Sequence, residues 1–400
     1  MHAIKVLHNL LAVAVPSIHK TRLQSFIASI ESVASGAALN VTAIGRGLSG
    51  TTYDKHKIKR ADRLLSSPHL YRERHLIYRA LIHRTLSGAT DPIIIIDWSP
   101  LCGDLSHQLL RASVPIGKRS ITLYEEVHPE KKLGNRRVQH RFLDTLASLL
   151  PANTCPTIVA DSGFRTPFYR YVEERLGWGW VGRIRGRDFI CPENNGDQWV
   201  SVKTLFALAN TRAKDFGLVK WVRSRPLTAC VTVIRQPKKY RKKLTVRGKV
   251  ARSRRSAVNR KRNKEPWVIV YSRSLRDRPV IGIIGIYKKR MQIEQGFRDS
   301  KSARYGLSLS GQSGMHIERR TILCLIATCT AWLLWCIGTI MRGSEIFRHL
   351  KVNSSSRRES YSVLFLARLV MTRRRVQISQ RQITATLQRK NRSCCLSELG

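Results

Sequence analysis

Two short apolar runs, each closed by an aspartate, limit what this chain can fold into more than any other feature. Residues 93–96 are four isoleucines and lead directly into Asp97-Trp98-Ser99. Residues 156–160 read PTIVA and lead into Asp161-Ser162-Gly163-Phe164. An unbroken β-branched run belongs in the middle of a sheet that is covered on both faces. Between the two runs, residues 107–114 and 120–128 read as strands joined by a turn at Gly117. Residues 134–150 carry Val138, Phe142, Leu146 and Leu149 at helical spacing on one face. The predicted order is β-β-β-α-β, an α/β arrangement with a carboxylate at the end of its first and fourth strands.

Ahead of this lies a helical segment, residues 1–88, whose apolar stretch at residues 10–15 is too short for a secretory signal. Within 39–65, Thr42 is predicted to cap a short helix, residues 47–50 to turn, and Thr52 or Asp54 to cap a second helix. The second helix carries Lys55, Lys57, Lys59, Arg60 and Arg63. A basic helix after a turn reads as a helix-turn-helix, the geometry that enters a major groove. Gly45-x-Gly47-x-x-Gly50 matches a dinucleotide fingerprint in letters only, because no buried strand precedes it.

The charge points the same way. The 400 residues contain 72 Lys and Arg against 26 Asp and Glu, a formal net charge of +46. Such a surface calls for a polyanion, nucleic acid first and an anionic membrane second. Residues 235–264 hold 15 cations and no acid. That block reads either as a solvated loop or as an arm that orders on nucleic acid, and the overall charge favours the arm. The flanking 165–280 segment offers short strands at 178–185, 199–203, 227–235 and 267–272.

Nine scattered cysteines without a Cys-x-x-Cys suggest buried reduced thiols in a cytoplasmic protein. Residues 321–341 run 21 positions without a charge, long enough to cross a membrane. Four threonines, three cysteines and a glycine dilute that run, so a helix buried in the α/β core is the reading taken, with no membrane partner. Residues 343–400 predict helices and a basic tail and carry no functional signal.

A helix predicted over 281–302 bears Tyr287-x2-Arg290-x3-Glu294-x6-Lys301. At about 100° per residue these four share a stripe roughly 60° wide. Three carboxylates, Asp97, Asp161 and Glu294, converging from two strand ends and a helix, would offer hard oxygens suited to Mg²⁺ or Mn²⁺. Two such ions can activate a water or a 3′-hydroxyl and stabilise the leaving oxygen of a phosphodiester. Arg290 and Lys301 would hold neighbouring phosphates.

With these residues in place, the chain resembles the DDE transposases of bacterial insertion sequences, in the class with the YREK signature, from the N-terminal helices to about residue 345. The resemblance implies an RNase H-like catalytic core interrupted by a β-rich insertion domain and preceded by a helical DNA-binding domain. Its implied parts are 1–88 for DNA binding, 89–164 and 281–345 for the core, 165–280 for the insertion, and 346–400 for a tail. It implies that Asp97, Asp161 and Glu294 bind two Mg²⁺ (or Mn²⁺) ions, and that Tyr287, Arg290 and Lys301 hold phosphates of the transposon end. Trp267 stands where the class stacks a tryptophan on a flipped base; a core position on its own strand is the other reading. Double-stranded DNA, both terminal inverted repeats and target, and a second copy of the chain are the implied partners. A nuclease of the same fold, or a non-catalytic repressor derived from a transposase, are the alternatives. Gly296 departs from expectation inside the signature helix, where it costs about 1 kcal/mol relative to alanine.

Overall fold

The structure is a computed structural model that describes residues 2–101, 103, 105–193, 196–237, 265–302, 307–309, 314–342, 362–373, 377–391 and 394–397. Most of the basic block at 235–264, and Cys102, lie outside the described residues. The chain divides into two compact units, Met1–Pro156 with Arg290–Glu398, and Thr157–Lys289 with the last two residues.

In the first unit the isoleucine run becomes strand β1 (Ile93–Pro100), with residues 93–96 wholly buried. It pairs antiparallel with β2 (His107–Ile116), which pairs antiparallel with β3 (Arg119–Pro129). The β2–β3 turn sits at Gly117 and Lys118, both in the left-handed region (φ 55° and 68°). Two successive positive φ values make a primed turn, whose twist matches that of the flanking strands. The register shifts between Ala112 and Ser113. Helix α6 (Arg136–Leu149) follows, burying Val138, Phe142, Leu146 and Leu149 as their spacing predicts.

Five helices precede β1 in this unit: α1 (His2–Ala14), α2 (Lys20–Ala34), α3 (Val41–Arg46), α4 (Asp54–Leu65) and α5 (Pro68–Thr85). The caps differ from those expected. Asn40 caps α3, its Oδ1 accepting the Ala43 amide at 2.7 Å, and Thr42 lies inside the helix. Tyr53 precedes α4 without a side-chain cap, and Asp54 instead opens the first turn. The glycines of the 45–50 motif serve packing and turning. A Cβ on Gly45 would lie 2.5 Å from Ile58 Cα on α4, and one on Gly47 would lie 2.1 Å from Ser32 Oγ on α2. Gly50 takes a φ of +112°. Because the Gly45 clash is with backbone, Gly45→Ala must push α3 from α4. Overpacking of this kind costs about 1–3 kcal/mol, and a thermal melt should show a lower midpoint; an unchanged one would mean the helices have room.

The uncharged run forms part of α11 (Ile317–Arg342), and 94% of its most apolar window is buried inside the fold. Several of its polar groups bond within this unit. Trp332 Nε1 donates to Thr85 Oγ1 on α5 at 2.9 Å, and Thr330 Oγ1 donates to the Ile326 carbonyl at 2.7 Å. Arg319, at its start, pairs with Asp62 on α4 at 2.5 Å and also bonds Ser66. Two C-terminal helices, α12 (Val363–Arg373) and α13 (Gln380–Asn391), pack against α11. The chain then returns to the start of β1, where Leu396 N donates to the Asp91 carbonyl at 2.9 Å and Pro92 bridges Cys395.

The second unit is built on a sheet of order β4-β5-β10-β9-β8-β6-β7. Strand β4 (Thr157–Ala160) is parallel to β5 (Gly179–Ile184), and the other neighbours are antiparallel. The remaining strands are β6 (Phe189–Pro192), β7 (Val200–Ser201), β8 (Lys214–Trp221), β9 (Leu227–Ile234) and β10 (Trp267–Tyr271). Short helices α7 (Thr166–Arg170) and α8 (Val202–Leu208) and a helix α9 (Val280–Lys289) complete it. The strand predicted at 199–203 shrinks to two residues, because Ser201 caps α8 by accepting the Lys203 amide. Strands β6 and β8 were not foreseen: β8 contains Gly217 at φ +67° and a register shift between Asp215 and Leu218, which erase its alternation. Tyr169, Trp180 and Trp221 form its aromatic core, with ring centroids 4.6–6.4 Å apart. Both units are mixed α and β.

Seven of the described cysteines are buried and Cys155 is exposed. Burial pushes the Cys230 thiol up to about 11 and those of Cys324, Cys329 and Cys336 higher still, so these stay protonated.

Candidate active site

The helix predicted over 281–302 is in fact two. Helix α9 ends at Lys289, and α10 (Met291–Lys301) begins two positions later. The break falls at Arg290, the last of three consecutive cations, whose guanidinium turns toward acids of the first unit. Tyr287 belongs to the second unit, and Arg290, Glu294 and Lys301 to the first.

In the first unit, Arg290 joins Asp97 to Glu294. Its Nη1 donates to Asp97 Oδ2 at 3.4 Å and its Nη2 to Glu294 Oε1 at 3.1 Å. Asp97 sits halfway along β1, and its Oδ1 accepts the Trp98 amide at 2.8 Å. Two carboxylates so close would repel, and the shared guanidinium offsets that repulsion. The Asp97 side chain is 15% exposed and the Glu294 side chain 42%, so the pair opens to solvent on the helix side.

Lys301 fastens the other end of α10. Its Nζ donates to Ser99 Oγ and to the Pro100 carbonyl, each at 2.5 Å, and lies 4.8 Å from the Phe297 ring centroid. Arg290 and Lys301 thus both grip β1. Behind Trp98, the His128 ring lies edge-on at 5.7 Å and bonds Glu126. Burial works to push the Glu126 carboxyl up, but bonds from His128 and Tyr124 outweigh it and hold the group below its ordinary range.

Asp161 falls in the second unit, directly after β4. Its Oδ1 accepts the Gly163 amide at 2.7 Å, fixing the loop, and the neighbouring Ser162 Oγ accepts from Arg185 Nε at 2.6 Å. Tyr287 and Trp267 are brought together in this unit. Tyr287, only 4% exposed, meets Trp267 edge-on, with centroids 5.2 Å apart and planes at 80°. Trp267 is partly exposed at the start of β10, and the Arg183 guanidinium lies 6.0 Å from its ring. Within neither unit do three or more His, Cys, Asp or Glu side chains cluster among the described residues.

On α4, Lys55, Lys59, Arg60 and Arg63 are exposed and Lys57 is half-buried, while Ala61, Leu64 and Leu65 face the core. Arg60 Nε donates to Ser25 Oγ on α2 at 3.0 Å, which orients the helix without covering its basic face.

Set on this geometry, comparison with known proteins is decisive at the level of family. The chain matches the transposase DDE domain over residues 89–330, more than half its length. It belongs to that family. No curated protein matches the chain. The DDE domain match takes in β1, β4, α10 and the first half of α11, and includes Asp97, Asp161, Trp267, Tyr287, Arg290, Glu294 and Lys301. Helices α1–α5 precede it.

Reading the sequence missed a buried pair inside this DDE domain, Arg111 on β2 and Glu125 on β3. Each lies inside a segment read as a strand, where a charge is a possible signal. It had no meaning until the register set Arg111 opposite both Asp97 and Glu125.

Proposed function

We propose that the chain is a cut-and-paste transposase that acts on the terminal inverted repeats of its own element. The observation that carries the reading is the convergence of Asp97, inside β1 rather than at its end, and Glu294 on one guanidinium, in a DDE domain that also holds the strand-end acid Asp161. Each of the first two directs one oxygen at a single cation, and a hard-oxygen donor set is what Mg²⁺ and Mn²⁺ take. Asp97, Asp161 and Glu294 would hold the ions. When bound, a pair of such ions supplies Lewis acidity for phosphoryl transfer.

The protein's own residues bind and orient the DNA. Lys55, Lys59 and Arg60, with Lys57 beside them, present α4 to the major groove of the repeat. Arg290 and Lys301 hold the end against β1, exchanging protein partners for phosphates as DNA enters. Tyr287 supports the Trp267 ring, which offers a π-face to a base leaving the stack. Water nicks one strand, the freed 3′-hydroxyl attacks the opposite strand to give a hairpin, and the reopened end joins target DNA. Two copies of the chain pair two ends, and the work is done on the bacterial nucleoid in the cytoplasm.

The test is incubation of the full chain with Mg²⁺ and duplexes carrying the terminal sequences of its own element. Hairpin products on a denaturing gel are expected, and the absence of both nicked and hairpin products would overturn the proposal. Nicked product alone would leave the nuclease reading. Stacking of a base on an aromatic ring contributes about 1–3 kcal/mol, so Trp267→Ala is expected to slow hairpin formation roughly tenfold or more. An unchanged hairpin rate would return Trp267 to a packing role.

A further inference from the structure

We propose that Arg111 is a positioning residue for this chemistry: from β2 it holds α10, and with it Glu294, in fixed register over the strand that carries Asp97. The inference rests on the transposase reading above. Arg111 is almost wholly buried, 2% exposed, and its partner Glu125 not exposed at all. Its Nε donates to Glu125 Oε2 at 2.7 Å, and its Nη2 reaches across to Ser300 Oγ on α10 at 3.2 Å. The guanidinium also lies 4.7 Å from the ring centroid of Phe297, on the same helix. The second oxygen of Glu125 accepts from Thr328 Oγ1 on α11 at 2.7 Å. One buried ion pair therefore ties β2, β3, α10 and α11 together.

The helix runs close to the sheet at Gly296. A Cβ there would lie 2.5 Å from Ser120 Oγ on β3 and 3.8 Å from Arg111 Nη1. A glycine that weakens the helix thus lets it seat against the sheet. The Arg119–Asp299 pair adds a second contact between β3 and α10.

Stability alone does not account for Arg111 and Glu125. Removing two charges from water costs about what their attraction returns, and an apolar pair of similar size packs as well or better. What an apolar pair cannot supply is a planar fork with one arm fixed on Glu125 and the other on Ser300. Ser300 lies six residues from Glu294, about 9 Å along the helix axis. A tilt of α10 about that end moves the Glu294 carboxylate by an ångström, a displacement that costs about 100-fold in a positioned reaction.

The test uses the full chain. Arg111→Met alone leaves Glu125 buried and unpaired, so the informative variant is Arg111→Met with Glu125→Leu, which removes both charges. Its thermal midpoint and its binding to the element's terminal duplex are expected to match the unaltered chain. Its kcat for end cleavage in Mg²⁺ is expected to fall about 100-fold with KM unchanged. Arg111→Lys, which keeps the charge but loses the fork, should fall between the two. Independently of activity, hydrogen exchange at the α10 amides should quicken about tenfold in the double variant, with β1–β3 unaffected. Unaltered exchange at α10, or wild-type kcat in the double variant, would overturn the assignment. Failure of the unaltered chain to cleave any end would instead overturn the transposase reading and leave the exchange result to decide whether Arg111 positions α10.

Discussion

Asp97→Asn and Glu294→Gln are each expected to lower strand cleavage at the element's ends by about 10³-fold, a loss of about 4 kcal/mol of transition-state stabilisation. Both substitutions keep side-chain volume, so packing around β1 and α10 has no reason to change. Asparagine at 97 still accepts the Trp98 amide that Asp97 Oδ1 now accepts. What each variant loses is one negative oxygen on the shared Arg290 guanidinium. Arg290 then still has the other of these two carboxylates to hold it where it is. The same change removes one negative charge from a surface proposed to meet phosphates, so DNA affinity should be equal or higher. Loss of cleavage with retained binding is therefore the expected pairing, read by denaturing gel and gel shift on the same preparation. Cleavage within about tenfold of the unaltered chain in either variant would remove that carboxylate from the metal site.

The residues that were legible in the sequence are those whose environment is set by near neighbours. Four consecutive isoleucines can be buried on both faces only in a covered strand, and β1 is that strand. Gly117 marked a turn, and Val138 to Leu149 marked the buried face of α6. The uncharged run at 321–341 was legible as a buried helix because its threonines can bond their own helix backbone, as Thr321 and Thr330 do. Hidden features depend on distant partners. Nothing local distinguishes Arg290 from Lys288 or Lys289, and the helix breaks there as its guanidinium reaches a carboxylate 193 residues away. Gly296 looked like a flaw in a helix because Ser120, which it accommodates, is far off in the sequence. Asn40 was passed over as a cap in favour of Thr42, an ambiguity of two residues that composition cannot settle. The C-terminal segment was silent for the same reason: its meaning lies in Asp91 and in the surface of α11.

That segment supplies the second large effect, at Gly338. A Cβ on Gly338 of α11 would lie 2.0 Å from the Val363 carbonyl oxygen and 2.8 Å from its carbonyl carbon, both backbone atoms at the start of α12. Two effects of Gly338→Ala oppose each other. Helix propensity favours alanine by about 1 kcal/mol in the middle of a helix. Against it, α12 must move away, and the seat of Leu366, Ala367 and Val370, now almost wholly buried, opens with it. Overpacking costs about 1–3 kcal/mol for side chains that can adjust, and a backbone carbonyl cannot rotate aside, so the upper end applies. The net expectation is destabilisation of about 2 kcal/mol, seen as a fall of several degrees in the thermal midpoint. The strain has a direct route to the strand of Asp97. Beyond α12, Asn391 donates to the Ser87 carbonyl, and Ser397 N bonds Asp91 at 2.7 Å, two residues before β1 begins. Exchange of the amides at the start of β1 should therefore quicken in the same variant. The sign decides the matter: propensity alone predicts that Gly338→Ala raises the midpoint, and a rise would mean that α12 does not rest on α11 at Gly338.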